Sequence, residues 1–501
     1  MAFELALVAM VALLPRDSWF FVKVFNFLQY SHSPFLWSLS RTGPESMVGG
    51  ILVLVLIALS MAGIWACLLL GAKALLAYGL ARLGLSKRQN RFLGWSAGFL
   101  AMAGLLWCVV DVSADKPVPF TSTPEIKAVV AGNTALALDL YHKVKGTPGN
   151  IFFSPYSIST GLGLVYAGAQ GATKRELARV AHFSLTQAGL HPAFGELMAR
   201  VNRVEHGRRL TLQTANALWW QAGYSCSNSF LDLARRHYGA QVKAVDFSHT
   251  PEAAAETVNA WVEKRTHGKI KGMLNPGSLD SDTRLLLCNA VYFKGNWRSQ
   301  FKVQATCPAP FAISEEKSVS VPMMAQEAEF KTARLEDPRA TLLEMPYFGG
   351  DLAMVIILPE AVDGLVELEN ELTAENLHSW LALLDKSSAY KTWVRLPRFS
   401  TRRELNLVPV LRDLGMVSAF GAAADFSCMD GTKNLFLSQA LHQAYVEVNE
   451  AGTEAAVATL FEAKSKSMAG RFNADHPFLY LIRDHGSGTI LFLGRLVDPT
   501  R

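Results

Sequence analysis

An α+β domain carried behind a membrane-spanning segment is the fold class this sequence predicts, and three observations predict it. Two long apolar runs without a charge stand near the front, apolar residues at helical spacing dominate residues 128–266, and short runs rich in β-branched and aromatic residues dominate from 283 onward. Helices grouped ahead of strands, rather than alternating with them, argue an α+β fold with sizeable sheets. At 501 residues the chain has room for such a domain and a separate segment.

The first apolar run, GGILVLVLIALSMAGIWACLLLGA at 49–72, is long enough to cross a bilayer as a helix, and the second, beginning FLGWSAGFLAMAGLLWCVV, gives a span at 92–112. An earlier run from Phe3 to Leu14 stops at Pro15, too short to span alone and without a small-residue cleavage site after it. It is expected to stay attached, either pairing with Trp19 to Tyr30 as a third span or lying at the interface. Residues 1–115 therefore read as a multi-pass anchor of two or three hydrophobic helices, with the lipid bilayer as partner. The connection between the two firm spans carries Lys73, Arg82, Lys87, Arg88 and Arg91, and basic connections stay cytoplasmic. Everything after Asp111 is then expected on the far side, in the periplasm or at the cell exterior. Apart from Lys73 and Asp111 at their ends, the spans hold no charge that would mark an ion path or relay.

Composition excludes several function classes. The six cysteines show neither CxxC nor His/Cys metal spacing, so no disulfide framework and no metal or other cofactor is expected. A net charge of +5, dispersed along the chain, does not argue for nucleic acid. The absence of any N-x-S/T acceptor favours a bacterial source.

Residues 116–125, within DVSADKPVPFTSTPE, read as a linker. Beyond it, helices are expected at Ala128–Lys145, Ser157–Gly168, Lys174–His182, Leu190–Val204, Ser229–Tyr238 and Pro251–Thr266. Strands are expected in LTLQTANALWW from 210, TRLLLCNAVYF from 283, TLLEMPYF from 341, LAMVIILP from 352, TWVRLPRF from 392, HQAYVEVNE from 442, PFLYLIRD from 477 and TILFLGRL from 489. One tract fits neither neighbour: EAGTEAAVATLFEAKSKSM at 450–468 favours helix by composition yet lies between two strand-like segments.

NIFFSPYSIST at 150, LCNAVYFKGNW at 287, LSQALHQAYVEVNEAGTEAA at 437 and FNADHPFLYLIRD at 472, with VPMM, YFGGDLAMVIILPE and LPRFS between them, together resemble the serpin family of serine protease inhibitors. The resemblance covers residues 126–501 and leaves the anchor outside it. It implies a fold of about nine helices and three β-sheets with an exposed reactive-centre loop, here 450–471. It also implies an inhibitor rather than an enzyme, one that traps its protease covalently as the cut loop inserts into the main sheet.

Carried onto this chain, the resemblance makes Glu450, Gly452, Thr453, Ala455, Ala456, Val457 and Ala458 the hinge. Counting sixteen residues from Glu450 makes Lys466 and Ser467 the reactive bond, and a lysine there implies a trypsin-like serine protease as covalent partner. Read as a strand, Thr453, Ala455, Val457, Thr459, Phe461 and Ala463 share one face and Glu454, Ala456, Ala458, Leu460 and Glu462 the other. The first face suits burial, with Val457 bulkier than the family's usual residue; the second keeps both carboxylates toward water. Gly452 adds backbone freedom at the start.

The same resemblance makes Ser154, Ser157, Asn289 and His442 a buried hydrogen-bonded shutter, and Trp297 part of the breach where insertion begins. Arg200, Arg203, Arg208 and Arg209 fall where some family members bind polyanions, although four arginines across ten residues also fit a solvated helix face. Two other readings compete. A non-inhibitory serpin would serve as a binding or chaperone-like module, but the small hinge residues oppose it. A membrane-anchored serine hydrolase would use Ser154 as nucleophile, but the chain has no GxSxG elbow and no HExxH.

Overall fold

The structure, a computed structural model, describes residues 120–203, 209–453 and 470–501. The expected spans at 49–72 and 92–112 lie outside these residues, as do Arg208, Ala455, Ala456, Val457, Ala458, Lys466 and Ser467. Among the described residues no helix is long and apolar enough to cross a membrane.

Helix α1 (Pro124–Val144) starts earlier than its apolar periodicity suggests, because the Thr123 side chain caps Ile126 N–H and Pro124 occupies the first turn, where its missing N–H costs nothing. The short strand β1 (Ile151–Phe153) leads into α2 (Pro155–Gly168), every residue of which is buried. There follow α3 (Gly171–Val180), α4 (Gln187–Arg203), β2 (Leu210–Gln221), α5 (Asn228–Tyr238), β3 (Gln241–Val245), α6 (Pro251–Arg265) and β4 (Leu285–Asn296). The second half is mostly strand: β5 (Cys307–Ala312), β6 (Ser318–Glu336), β7 (Arg339–Pro346), β8 (Leu352–Pro359), β9 (Tyr390–Pro397) and β10 (Phe399–Asn406), interrupted by α7 (Leu365–Asn370) and α8 (Ala374–Lys386). It closes with α9 (Leu407–Asp413), α10 (Ser427–Asp430), β11 (Leu437–Asn449), β12 (Gly452–Thr453), β13 (Gly470–Asn473), β14 (Phe478–Asp484) and β15 (Ile490–Leu496). Ten α-helices are thus present among the described residues, one more than expected.

Strand pairing gives a six-stranded sheet, β10-β11-β12-β4-β2-β3, and a nine-stranded network. The network is two sheets joined along the long β6: Met323–Phe330 of β6 pair with β9, while Lys331–Glu336 pair with β7. The three expected sheets are present, two of them sharing one strand.

In the six-stranded sheet the side chains alternate between two hydrophobic layers. Leu285, Leu287, Val291 and Phe293 of β4 face the main core with α2, whereas Leu286, Cys288 and Ala290 face Val258 and Val262 of α6. Both faces of β4 are covered, so it is apolar almost throughout. A fully buried polar side chain in it is therefore conspicuous, and Asn289 is that residue, whereas Lys294 and Asn296 near its end are partly exposed.

Candidate functional site

The centre of the six-stranded sheet is a seam between β4 and β11. The two run parallel and pair directly from Leu285 beside Leu437 to Tyr292 beside Tyr445. Beyond Tyr292 and Tyr445 a different strand takes over. After Asn449 the chain reverses through Glu450 and Ala451, the Asn449 side chain accepting the Ala451 N–H, and returns as β12. Here Gly452 and Thr453 pair antiparallel with both neighbours, opposite Asn449 and Val448 on one side and Asn296 and Gly295 on the other. Gly452 and Thr453, within the expected hinge, thus sit in the top of the seam, which is closed by direct pairing of β4 and β11 below them.

Gly452 is required for this seat. Its φ is +149°, and a Cβ would lie 2.0 Å from the Gly295 carbonyl oxygen and 2.7 Å from Trp297 N. Only glycine lets the backbones approach so closely.

Trp297 holds the seat from the side. It is 2% exposed, stacks on Tyr347 with ring centroids 4.6 Å apart, and donates from its indole N–H to the Asn449 carbonyl (3.0 Å) and from its backbone N–H to Ala451 (2.8 Å). Both bonds go to the reversing turn, so Trp297, the expected breach residue, lies against the start of β12. The backbone carbonyl of Glu450 accepts Phe301 N–H, and its buried carboxylate accepts Thr306 Oγ1 at 2.7 Å and the Arg398 guanidinium. Burial opposes the charged form of Glu450, but the bonds from Thr306 and Arg398 outweigh it and hold its pKa below the ordinary glutamate value.

Halfway down the seam a row of polar side chains crosses three strands. His442 of β11 lies beside Asn289 of β4, and Asn289 beside Asn216 of β2. His442 Nε2 accepts the Ser154 backbone N–H at 3.0 Å, so the proton is on Nδ1, which donates to Asn289 Oδ1. Asn289 Nδ2 donates to the Ser157 carbonyl at 2.8 Å and to Asn216 Oδ1, with Ser157 Oγ 2.6 Å away. Desolvation drives the fully buried His442 down to about 3, keeping the imidazole neutral. The four expected shutter residues do come together, and Asn216 belongs with them. Its signal in the sequence was an asparagine inside an apolar strand, where that residue is depleted.

This geometry is wrong for a hydrolase. Ser154 caps α2: its Oγ donates to the Leu491 carbonyl at 2.6 Å and accepts Ser157 N–H at 3.2 Å. His442 meets the Ser154 backbone rather than its hydroxyl, and both residues are buried. Nucleophile and base are not paired, and neither faces a substrate.

Among the described residues the arginines at 200, 203 and 209 do not form one patch. Arg200 is 1% exposed and ion-paired to Asp351 (2.6 Å) and Asp484 (2.9 Å), while Arg209 lies over the Phe348 ring and Arg203 is exposed. The sequence reading of a solvated basic face fails at Arg200, because its two partners come from chain segments more than a hundred residues away.

A short strand seated at the head of a closed parallel seam, above a buried polar row, is the arrangement the sequence resemblance implies, and the comparisons agree on the family. The family description Serpin (serine protease inhibitor) matches residues 131–499. The chain belongs to the serpin family. Bovine leukocyte elastase inhibitor is 40% identical over 74% of this chain and 99% of its own length, and the human protein of that name is 39% identical over the same shares. Among solved structures, uncleaved ovalbumin superposes with a TM-score of 0.69 at 30% identity, covering 74% of this chain and all of that one. Serpin48 of the insect Tenebrio molitor gives a TM-score of 0.67 at 31% identity, covering 74% of this chain and 98% of its own. This serpin is accordingly a protease inhibitor by family and not an enzyme. The family description begins its match at residue 131, and the comparisons bring no support for a membrane anchor or a bacterial source.

Proposed function

We propose that this serpin takes a trypsin-like serine protease as a suicide substrate at Lys466–Ser467 and presents its inhibitory domain on the outer face of a membrane. The observation that carries the reading is β12, which has already begun a strand between β4 and β11. In the proposed reaction the protease's serine oxygen bonds the Lys466 carbonyl carbon and the Lys466–Ser467 C–N bond breaks. Ser467 leaves as a free amine carrying the proton relayed by the protease's own histidine. This chain supplies bait and stored free energy and no catalytic group.

Insertion then continues β12. In the register of Thr453 with Gly295 and Val448, the sixth residue further on, Thr459, comes level with both Asn289 and His442. The strand must part those two side chains to pass. Small residues at 455, 456 and 458 suit such a passage, since extra bulk in a packed layer costs about 1–3 kcal/mol.

Specificity follows the bait rather than the body of the fold. A lysine suits a protease pocket with an acid at its base, whereas an elastase pocket is small and apolar. The names of the relatives favour a second reading, an elastase-type target cut after an apolar residue, and Met468 stands two positions beyond Lys466.

The test is trypsin, and in parallel elastase, added to intact cells that express the full chain, followed by denaturing electrophoresis and mass spectrometry of the released peptide. The expected result is a trypsin complex that survives denaturation, with a peptide beginning at Ser467. A complex with elastase and a peptide beginning at Ala469 would replace the target. Complex formation only after lysis would overturn the outward display, and cleavage without any complex would make this a substrate-type serpin.

A further inference from the structure

The sheet that carries the far end of the reactive loop presents an unusual face. On β9, Thr392, Val394 and Leu396 are buried against the core, while Trp393 on the opposite face is 41% exposed. Tryptophan is highly buried on average, so one this exposed on a sheet face is uncommon. Arg395 follows it on the same face, and in the register of β13 with β9 the exposed Arg471 stands beside Trp393. Neither Arg395 nor Arg471 has a side-chain acceptor among the described residues. Nearby Lys391, by contrast, is neutralised by Glu327 at 2.7 Å.

We propose that Trp393, Arg395 and Arg471 form a secondary docking surface for the target protease, meeting an acidic patch beside its active-site cleft. The inference rests on the inhibitory reading above and specifies the partner's surface chemistry. Position supplies the occupant: Arg471 is five residues past Lys466, at most ~18 Å of extended chain. A protease engaged at the bait therefore reaches β13, since a standard interface buries about 800 Å² on each partner. On the same face exposed Glu327 stands opposite Trp393, where it is taken up by Lys391, and exposed Glu329 stands opposite Lys391, so charge supplies the sign as a net excess: Arg395 and Arg471, both without a side-chain acceptor among the described residues, outnumber Glu329 and favour carboxylates over a basic surface. Arginine and tryptophan are also the residue types that dominate binding energy at interface centres.

Arg471 also lies close enough to the bait to enter the protease's cleft as an ordinary substrate residue, so the decisive substitutions are Trp393→Ala and Arg395→Glu on β9. Both side chains are free of hydrogen bonds among the described residues, so the fold is expected to tolerate the changes, checked by an unchanged melting temperature. The experiment measures association rates of the full-length protein in detergent with anionic trypsin and with cationic trypsin, at low and at high salt. The expected result is a loss of about tenfold for Arg395→Glu with anionic trypsin at low salt, shrinking at high salt, with little change for cationic trypsin. Trp393→Ala is expected to lower the anionic-trypsin rate at both salt concentrations. Equal rates for wild type and both variants, with covalent complex still forming, would overturn the docking surface and leave the inhibitory reading intact. Absence of complex from wild type with either trypsin would instead strike the inhibitory reading itself.

Discussion

At the residue scale the account turns on His442. Its imidazole is neutral, accepts from Ser154 N–H and donates to Asn289, and desolvation holds its pKa at about 3 against an ordinary 6.5. Below about 6.5 the unfolded chain takes up a proton that the folded seam refuses. Stability is therefore complete above that pH and falls as pH drops toward 3. Buried His191, lowered to about 4 first by desolvation, adds a change of the same sign. His442→Ala would leave the Ser154 N–H and Asn289 Oδ1 unsatisfied, costing about 1–3 kcal/mol for each buried group at neutral pH. Urea unfolding at pH 7.5 and pH 5 is expected to show a lower midpoint for the variant at pH 7.5 and a smaller further loss on acidification than wild type. An equal acid loss in both proteins would remove His442 from the explanation. The sequence disclosed most of this site because its members lie in distinctive motifs. It concealed Asn216, an asparagine within β2, and misrepresented Arg200, whose burial depends on Asp351 and on Asp484 at the end of β14, both distant in sequence.

At the element scale β12 is the sensitive part. Because a Cβ at Gly452 would meet the backbone of Gly295 and Asn296 within 2.5 Å, Gly452→Val is expected to unseat the hinge. Insertion should slow and hydrolysis of the acyl-enzyme should win more often. A titration of trypsin would then need several molecules of variant per enzyme inhibited, where wild type needs close to one; an unchanged ratio would mean that the seat at β4 does not govern insertion. Helices and strands with clear periodicity were legible, including all six expected helices and the eight expected strands. The long β6 was not, because SVSVPMMAQEAEFKTARLE carries a proline and many helix-favouring residues, and its two halves are buried by different sheets. The short β1, β3 and β13 draw their order from partner strands rather than from their own few residues.

At the scale of the whole molecule, the proposed inhibitory reading requires the sheet to accept one more strand. Its parallel seam is held by backbone pairing and crossed by the Asn216–Asn289–His442 row, its head is occupied by β12, and the sequence that follows alternates as a strand would. The most direct measurement is hydrogen–deuterium exchange over residues 454–463 before and after cleavage by trypsin. We predict exchange on the timescale of an unprotected chain in the intact protein and protection comparable to β4 and β11 in the cleaved one, with a raised melting temperature. Fast exchange of the same amides after cleavage would contradict insertion, and with it the inhibitory mechanism.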